Sequence, residues 1–261
     1  EYLKDANLYT SSATNFSKIP GSPIAYWASE QTIKNFISGK NLSYYASPKQ
    51  GISTTDNNRF VRLWNEVDIT KIGFNYHDCN EASISNKKWF PLNKGGEYCK
   101  WYGNRYYLVN YKKDGAEIKQ NVLKKYPYLK TPDFVVKNSM LYFHECISWS
   151  KVSSGNIAFR YFESGYIFSD AGMGLFSKKD SLNYIFGLLN SNVAIYILKM
   201  LAPTVNFEAG HIEKIPVIIK NELINSINIL VKKCIQLSQE NWDSFETSWD
   251  FKVHPLVKSH V

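Results

Sequence analysis

The sequence is poor in the features that would place it quickly. It has four cysteines in 261 residues, Cys79, Cys99, Cys146 and Cys234, widely scattered and never spaced as Cys-x-x-Cys. That excludes a dense disulfide framework and favours a reducing, cytoplasmic setting. His77, Cys79, Cys99, His144 and Cys146 could supply zinc ligands, but their spacing is looser than structural zinc sites use, so ordinary thiols and no metal are expected. The apolar runs, such as Val193 to Leu198, are far too short to span a membrane. Nine prolines include no Pro-Pro pair, which removes the Asn/Asp-Pro-Pro-aromatic loop that grips a flipped adenine. No Walker loop, Gly-x-Ser-x-Gly elbow or His-Glu-x-x-His occurs, and the carboxylates are dispersed, so no complete active site can be assembled. The chain opens Glu1-Tyr2-Leu3-Lys4 without Met and reads as a piece of something longer.

What is present is an aromatic-rich, basic globular sequence. Seven Trp, 18 Tyr and 15 Phe within a 44% hydrophobic composition exclude a disordered tail. The formal charge of +8 favours an anionic partner, most simply nucleic acid. Compositional bias toward Lys, Asn, Ile and Tyr is the plainer source of that charge. Only four of the 31 basic residues are Arg: Arg59, Arg62, Arg105 and Arg160. Each is a candidate for bidentate contact with guanine, or equally for a structural ion pair.

Ser22 as N-cap and Pro23 at the first helical position predict a helix running to Phe36 or Ile37 and ended by Gly39. A polar loop is expected over 47–59, feeding a strand at 60–64. Turn signals to about residue 170 predict short strands near 105–111, 146–152, 158–162 and 166–168, interrupted by a helix over 117–130 that closes at Tyr126-Pro127. Leu182 to Met200 read as one helix behind an Asp180/Ser181 cap, and 212–216 as a short strand. Leu223, Ile227, Leu230, Cys234 and Leu237 mark a narrow seam on a helix over 221–240, suited either to a partner helix or to the chain's own domain. Trp242, Phe245, Trp249 and Phe251 are expected to pack on something, inside or outside the chain. The segment Tyr166 to Gly174 mimics the strand and glycine turn that bind S-adenosylmethionine or a dinucleotide, but no helix follows, so a tight turn is expected. The fold class is α+β, centred on a mixed sheet with a long C-terminal helix.

Several stretches, taken in order, carry a family likeness: Ile19 to Trp27, Asp56 to Trp64, Lys87 to Gly96, Lys100 to Asn104, Ser148 to Lys151, Leu189-Asn190-Ser191 and Asp243 to Phe251. Together they resemble the region downstream of the catalytic domain in PglX, the adenine-specific DNA methyltransferases of BREX phage-defence systems. The resemblance implies a target-recognition domain over 1–217 and a spacer helix with an aromatic tail over 218–261. It implies a parent enzyme that uses S-adenosylmethionine, with no cofactor held in this stretch. The implied partners are double-stranded DNA, the methyltransferase domain of the same chain and other BREX subunits. A weaker likeness joins the loop 51–60, the Leu-Asn-Ser helix and the 212–216 segment to recognition domains of type I specificity subunits. Those commonly carry Gly where this sequence has Thr55, and Thr is poorly suited to positive φ.

The residues themselves suggest three DNA-binding segments. Lys49 and Arg59 could meet phosphate or guanine, while Gln50, Thr54, Asn57 and Asn58 offer donors and acceptors for base edges. Lys94, Lys100, Tyr102, Asn104 and Arg105 form a second cluster, and Ser150, Lys151, Ser153 and Ser154 a third. Local turn capping is the competing explanation for many of these polar groups. A different class of function, a module docking other defence subunits, would use the helical seam and the aromatic tail. These readings converge on one expectation: the three segments meet in a single cationic surface.

Overall fold

The computed structural model describes residues 11–177 and 182–258. Its helices are α1 (Ala13–Phe16), α2 (Glu30–Ser38), α3 (Asn57–Phe60), α4 (Cys79–Ile84), α5 (Lys112–Lys125), α6 (Leu182–Leu189), α7 (Asn192–Leu201), α8 (Ala209–Ile212), α9 (Ile224–Trp242) and α10 (Pro255–Lys258). Its strands are β1 (Lys40–Asn41), β2 (Ala46–Lys49), β3 (Val61–Leu63), β4 (Trp89–Asn93), β5 (Tyr107–Asn110), β6 (Cys146–Ser150), β7 (Phe159–Phe162), β8 (Ile167–Phe168), β9 (Gly172–Ser177) and β10 (Pro216–Val217). The class is α+β. One four-stranded antiparallel sheet runs β2-β9-β6-β7, and a second, mixed sheet runs β3-β5-β4-β8 with only the β4–β8 pair parallel.

Period-two alternation divides the first sheet between two cores. Ile147, Trp149, Met173 and Leu175 point to one side, where they meet Ile185, Phe186, Leu189 and Leu198 of α6 and α7. Cys146, Phe162 and Phe176 point to the other, joining Phe90, Val109 and Ile167 of the second sheet and Ile118 and Val122 of α5. The sheets approach closely because β9 carries glycine on its inner face. A Cβ on Gly172 would lie 2.4 Å from the Asn93 side-chain oxygen and from the Gly95 nitrogen. Buried Asn93 uses that gap, donating from Nδ2 to the Ser148 hydroxyl at 2.7 Å and to the Gly172 carbonyl at 3.2 Å. The glycines that imitate a cofactor loop therefore sit within a strand, where they permit close sheet packing.

Several sequence expectations require correction. The first long helix starts at Glu30, capped by Ser29, whose hydroxyl accepts from Thr32 N at 3.2 Å. Ser22 instead adopts positive φ, which no helix N-cap uses. Gly39 does end that helix. Ser47 to Lys49, expected in a loop, form β2 and pair with Gly174 to Phe176. α5 spans Lys112–Lys125, but residues 113–115 are left-handed, so its right-handed part starts close to the expected Glu117 and ends before Tyr126-Pro127 as expected. The single helix expected over 182–200 is two, α6 and α7, bent by 73° at Asn190-Ser191. Ser191 recaps the chain there by accepting from Ala194 N. The Asp180/Ser181 cap lies outside the described residues. Of the expected 212–216 strand only Pro216 pairs, together with Val217 just beyond it, against β1, and 209–212 is helical.

The seam on α9 is also shifted. Val231 is buried and Ile227 and Ile235 half-buried against α6, whereas Leu223, Leu230 and Leu237 are exposed. Gly187 sets this register: a Cβ there would stand 3.1–3.2 Å from Val231 and Ile227 methyl groups. The aromatic tail packs within the chain. Trp242 lies 4.9 Å from Tyr106, and Trp249 lies 5.3 Å from Phe74, while Phe245 remains exposed. Among the described residues no single helix is long and apolar enough to cross a membrane.

Candidate nucleic-acid interface

The three polar segments meet around one turn, Ser169–Ala171, between β8 and β9. Gly51 N donates to Ser169 O at 3.2 Å, Ile52 N to Phe168 O at 3.0 Å, and Asp170 N back to Ile52 O at 3.0 Å. From the second segment, Asn93 O accepts from Ser169 N at 3.0 Å, and the chain then turns through Lys94-Gly95-Gly96. The third segment arrives through Lys151 N, which donates to Ala171 O at 2.8 Å. The Ser150 hydroxyl ties the last two together, accepting from Gly96 N at 3.1 Å and donating to Gly96 O at 2.8 Å. Gly95 and Gly96 both have positive φ, which allows this tight apposition.

The result is a hollow of about 250 Å³ lined by Lys94, Gly96, Ser150, Lys151, Val152, Asp170 and Ala171. Lys49 closes β2, two residues before Gly51, whose nitrogen bonds the Ser169 carbonyl of the same turn. Lys94 lies over the Tyr107 ring at 4.8 Å, and Lys151 pairs with Glu208 at 2.9 Å. Arg160 lies beneath, 1% exposed, with one guanidinium nitrogen donating to Ser150 Oγ at 3.0 Å and another to Cys99 O at 3.4 Å. Its Nε has no hydrogen-bond partner, and among the described residues no carboxylate pairs with it. Burial lowers its pKa to about 10, so the group remains cationic at neutral pH. A buried, unneutralised cation raises the positive potential of the wall above it, and Asp170 opposes this in part.

The residues singled out from sequence divide by exposure. Asn57, Asn58, Arg59 and Ser154 are exposed, and Lys49, Gln50, Lys94, Lys100, Lys151 and Ser153 half-exposed. Arg59 stands 3.6 Å from Glu117, and Lys100 donates to Asn190 O at 2.9 Å. Gln50 accepts from Lys137 Nζ at 3.0 Å. Thr54, Tyr102, Asn104, Arg105 and Ser150 are buried. Thr54 donates to Asn57 Oδ1 at 2.6 Å and steadies the turn, while Asn104 donates to Glu97 O at 2.8 Å. Arg105 grips Glu163 through two nitrogens at 2.5 and 2.7 Å, donates to Tyr166 OH at 2.5 Å and to Tyr161 O at 2.9 Å, and stacks on Tyr102 at 3.7 Å. Tyr102, Asn104 and Arg105 thus support the interior rather than face a ligand, because all three side chains are buried.

Thr55 resolves the question raised by its position. It adopts φ +60°, the left-handed region in which a β-branched residue is a genuine outlier. Asn121 Nδ2 donates to its hydroxyl at 3.0 Å, and Lys125 Nζ to its carbonyl at 2.9 Å. The turn is therefore kept without glycine, by clamping it to α5. Sequence reasoning missed α5 as a support for this loop, as well as Lys125 and Lys137, since only tertiary pairing brings them near. Arg160, a candidate for base contact or an ion pair, makes no ion pair among the described residues and lies buried beneath the hollow. Among the described residues, no three His, Cys, Asp or Glu side chains are gathered as metal ligands. Burial raises Cys79 to about 11 and Cys146 to about 12, as expected for inert thiols.

No family model matches the sequence. Two curated proteins do. The chain is 36% identical over 254 residues to the adenine-specific methyltransferase PglX of Lacticaseibacillus casei (strain Zhang), which covers 96% of the chain. It is 34% identical over 261 residues to the adenine-specific methyltransferase BrxX of Escherichia coli O9:H4 (strain HS), which covers 98% of it. The chain spans 20% of the length of each of these relatives.

Proposed function

We propose that this chain, homologous nearly end to end to one segment of the PglX and BrxX adenine-specific methyltransferases, is the DNA target-recognition region of a BREX phage-defence methyltransferase. Residues 1–217 bind duplex DNA, and 218–261 act as spacer and aromatic brace. The catalytic domain of the same parent chain holds S-adenosylmethionine and methylates the adenine presented to it. The observation that carries this reading is the meeting of three polar segments on the Ser169–Ala171 turn, with Lys94 and Lys151 lining the hollow and Arg160 beneath.

The division of labour follows from exposure. Lys49, Lys94 and Lys151, on strands and tight turns, suit phosphates, whose contacts fix register without reading sequence. Asn57, Asn58 and Arg59 on α3, and Gln50 just after β2, carry the paired donors and acceptors that base edges require. Ser153 and Ser154 extend the wall. Titrating the protein with a target duplex and a scrambled duplex tests the reading. Lys94→Ala should weaken both equally, whereas Arg59→Ala should lose about 1–3 kcal/mol of discrimination at one base position. Indifference of both affinities to both substitutions would refute it.

A second reading draws on α9 and its N-cap, where Leu223, Leu230 and Leu237 stand exposed at seven-residue spacing. Such a stripe suits docking to another defence subunit. Co-purification that survives DNase and high salt, and is lost in Leu230→Asp, would favour it.

A further inference from the structure

Along the loop Gln50–Thr55 lies a groove of about 300 Å³ that shares no lining residue with the hollow and whose opposite wall is the segment after α5. Its floor is fixed by backbone pairing, with Ser53 N donating to Val135 O at 3.1 Å. Two rings on that wall are unusually exposed for their size: Tyr128 at 78% and Phe134 at 70%. Cations stand beside the rings. Lys137 lies over the Phe134 ring at 5.2 Å, and Lys125 over Tyr126 at 5.9 Å. Both lysines also reach the polar wall, through Gln50 Oε1 and Thr55 O. Residues 119–137 hold five lysines and one acid, Asp133.

An apolar peptide side chain would need neither the lysines nor the amide and hydroxyl groups of Gln50, Ser53 and Thr55. A phosphodiester strand needs all of them: π-faces for a base, donors and acceptors for its edge, and cations for the flanking phosphates. We infer that this groove accepts one unstacked nucleobase, stacked on the Tyr128 and Phe134 rings, with Lys125 and Lys137 on the neighbouring phosphates. The inference rests on the DNA-binding reading above and adds to it a site for a base drawn out of the helix. The volume matches a single-ligand pocket at the small end of the usual range. Strain at Thr55 fits the same picture, because it holds the polar wall opposite the rings.

Two otherwise identical labelled duplexes test this by fluorescence anisotropy, one fully paired and one carrying a single extrahelical nucleotide. The bulged duplex should bind roughly tenfold tighter, the effect of one base–aromatic stack. Tyr128→Ala and Phe134→Ala should erase that preference while leaving affinity for the paired duplex within about twofold, since neither ring supports the core. Equal affinity for the two duplexes would overturn the inference while leaving the recognition reading intact. A preference untouched by both substitutions would overturn it too, as would loss of a co-purifying protein in their place. Failure to bind either duplex would remove both readings together.

Discussion

Arg105 and Arg160 show that a guanidinium's role is set by what surrounds it. Arg105 has a carboxylate, a phenol and a carbonyl within reach of its two terminal nitrogens, and its buried charge is neutralised by Glu163 although Nε has no hydrogen-bond partner among the described residues. Replacing it by Met should cost about 3 kcal/mol, because Tyr166 OH and Tyr161 O lose their donor while the half-exposed Glu163 is re-solvated. Urea unfolding would measure that loss, and duplex binding by the folded fraction should be unchanged. Residue type gave no way to separate this arginine from a surface one; its hydrogen-bond partners come from β7 and the turn after it, more than 50 positions away. Thr55 makes a sharper case. Thr55→Gly should be close to neutral, since relief of left-handed strain offsets glycine's added chain entropy and the lost hydroxyl contact. Thr55→Val keeps the strain but loses the bond from Asn121, and should destabilise by about 1 kcal/mol. Denaturant midpoints for the pair would distinguish a held turn from an incidental one.

Among the elements, strands with clear alternation were legible: 60–64, 105–111, 146–152 and 158–162 each contain one. β4 and β9 were not. Pro91 hides β4, and is tolerated because parallel pairing with β8 begins only at Leu92. Gly172 and Gly174 hide β9, where Gly172 admits the opposing sheet and Gly174 leaves room for the Phe176 ring. The break between α6 and α7 was invisible because apolar spacing continues across it. Asn190 explains it physically. Its side chain accepts from Phe159 N and donates to Phe159 O, both at 3.1 Å, clipping the bend to β7. Asn190→Ala should therefore cost about 2 kcal/mol, with two buried backbone groups left unsatisfied. Hydrogen exchange should show the loss first at Phe159, and unchanged protection there would contradict this role. The shifted α9 face follows from Gly187, a residue whose importance lies only in what it leaves empty.

Across the whole molecule, the sequence displayed the three segments but not their arrangement. They are joined by the Ser169–Ala171 turn, which sequence reading had set aside as an imitation cofactor loop. Backbone pairing there puts positions 51, 93 and 151 within hydrogen-bonding range of consecutive residues. The buried Arg160 adds positive charge beneath the hollow, while Glu208 engages Lys151 and Asp170 sits at the rim. A surface of this kind has one quantitative signature. Each phosphate it neutralises releases counterions, so affinity must fall with salt in proportion to the number of contacts.

The salt dependence of duplex affinity is therefore the most direct measurement. With three or more phosphate contacts, the slope of log affinity against log salt should be about −3 or steeper. Lys49→Ala and Lys94→Ala should each flatten it by about one unit, without unfolding the protein. A slope near zero, or one that the double substitution leaves unchanged, would contradict the account.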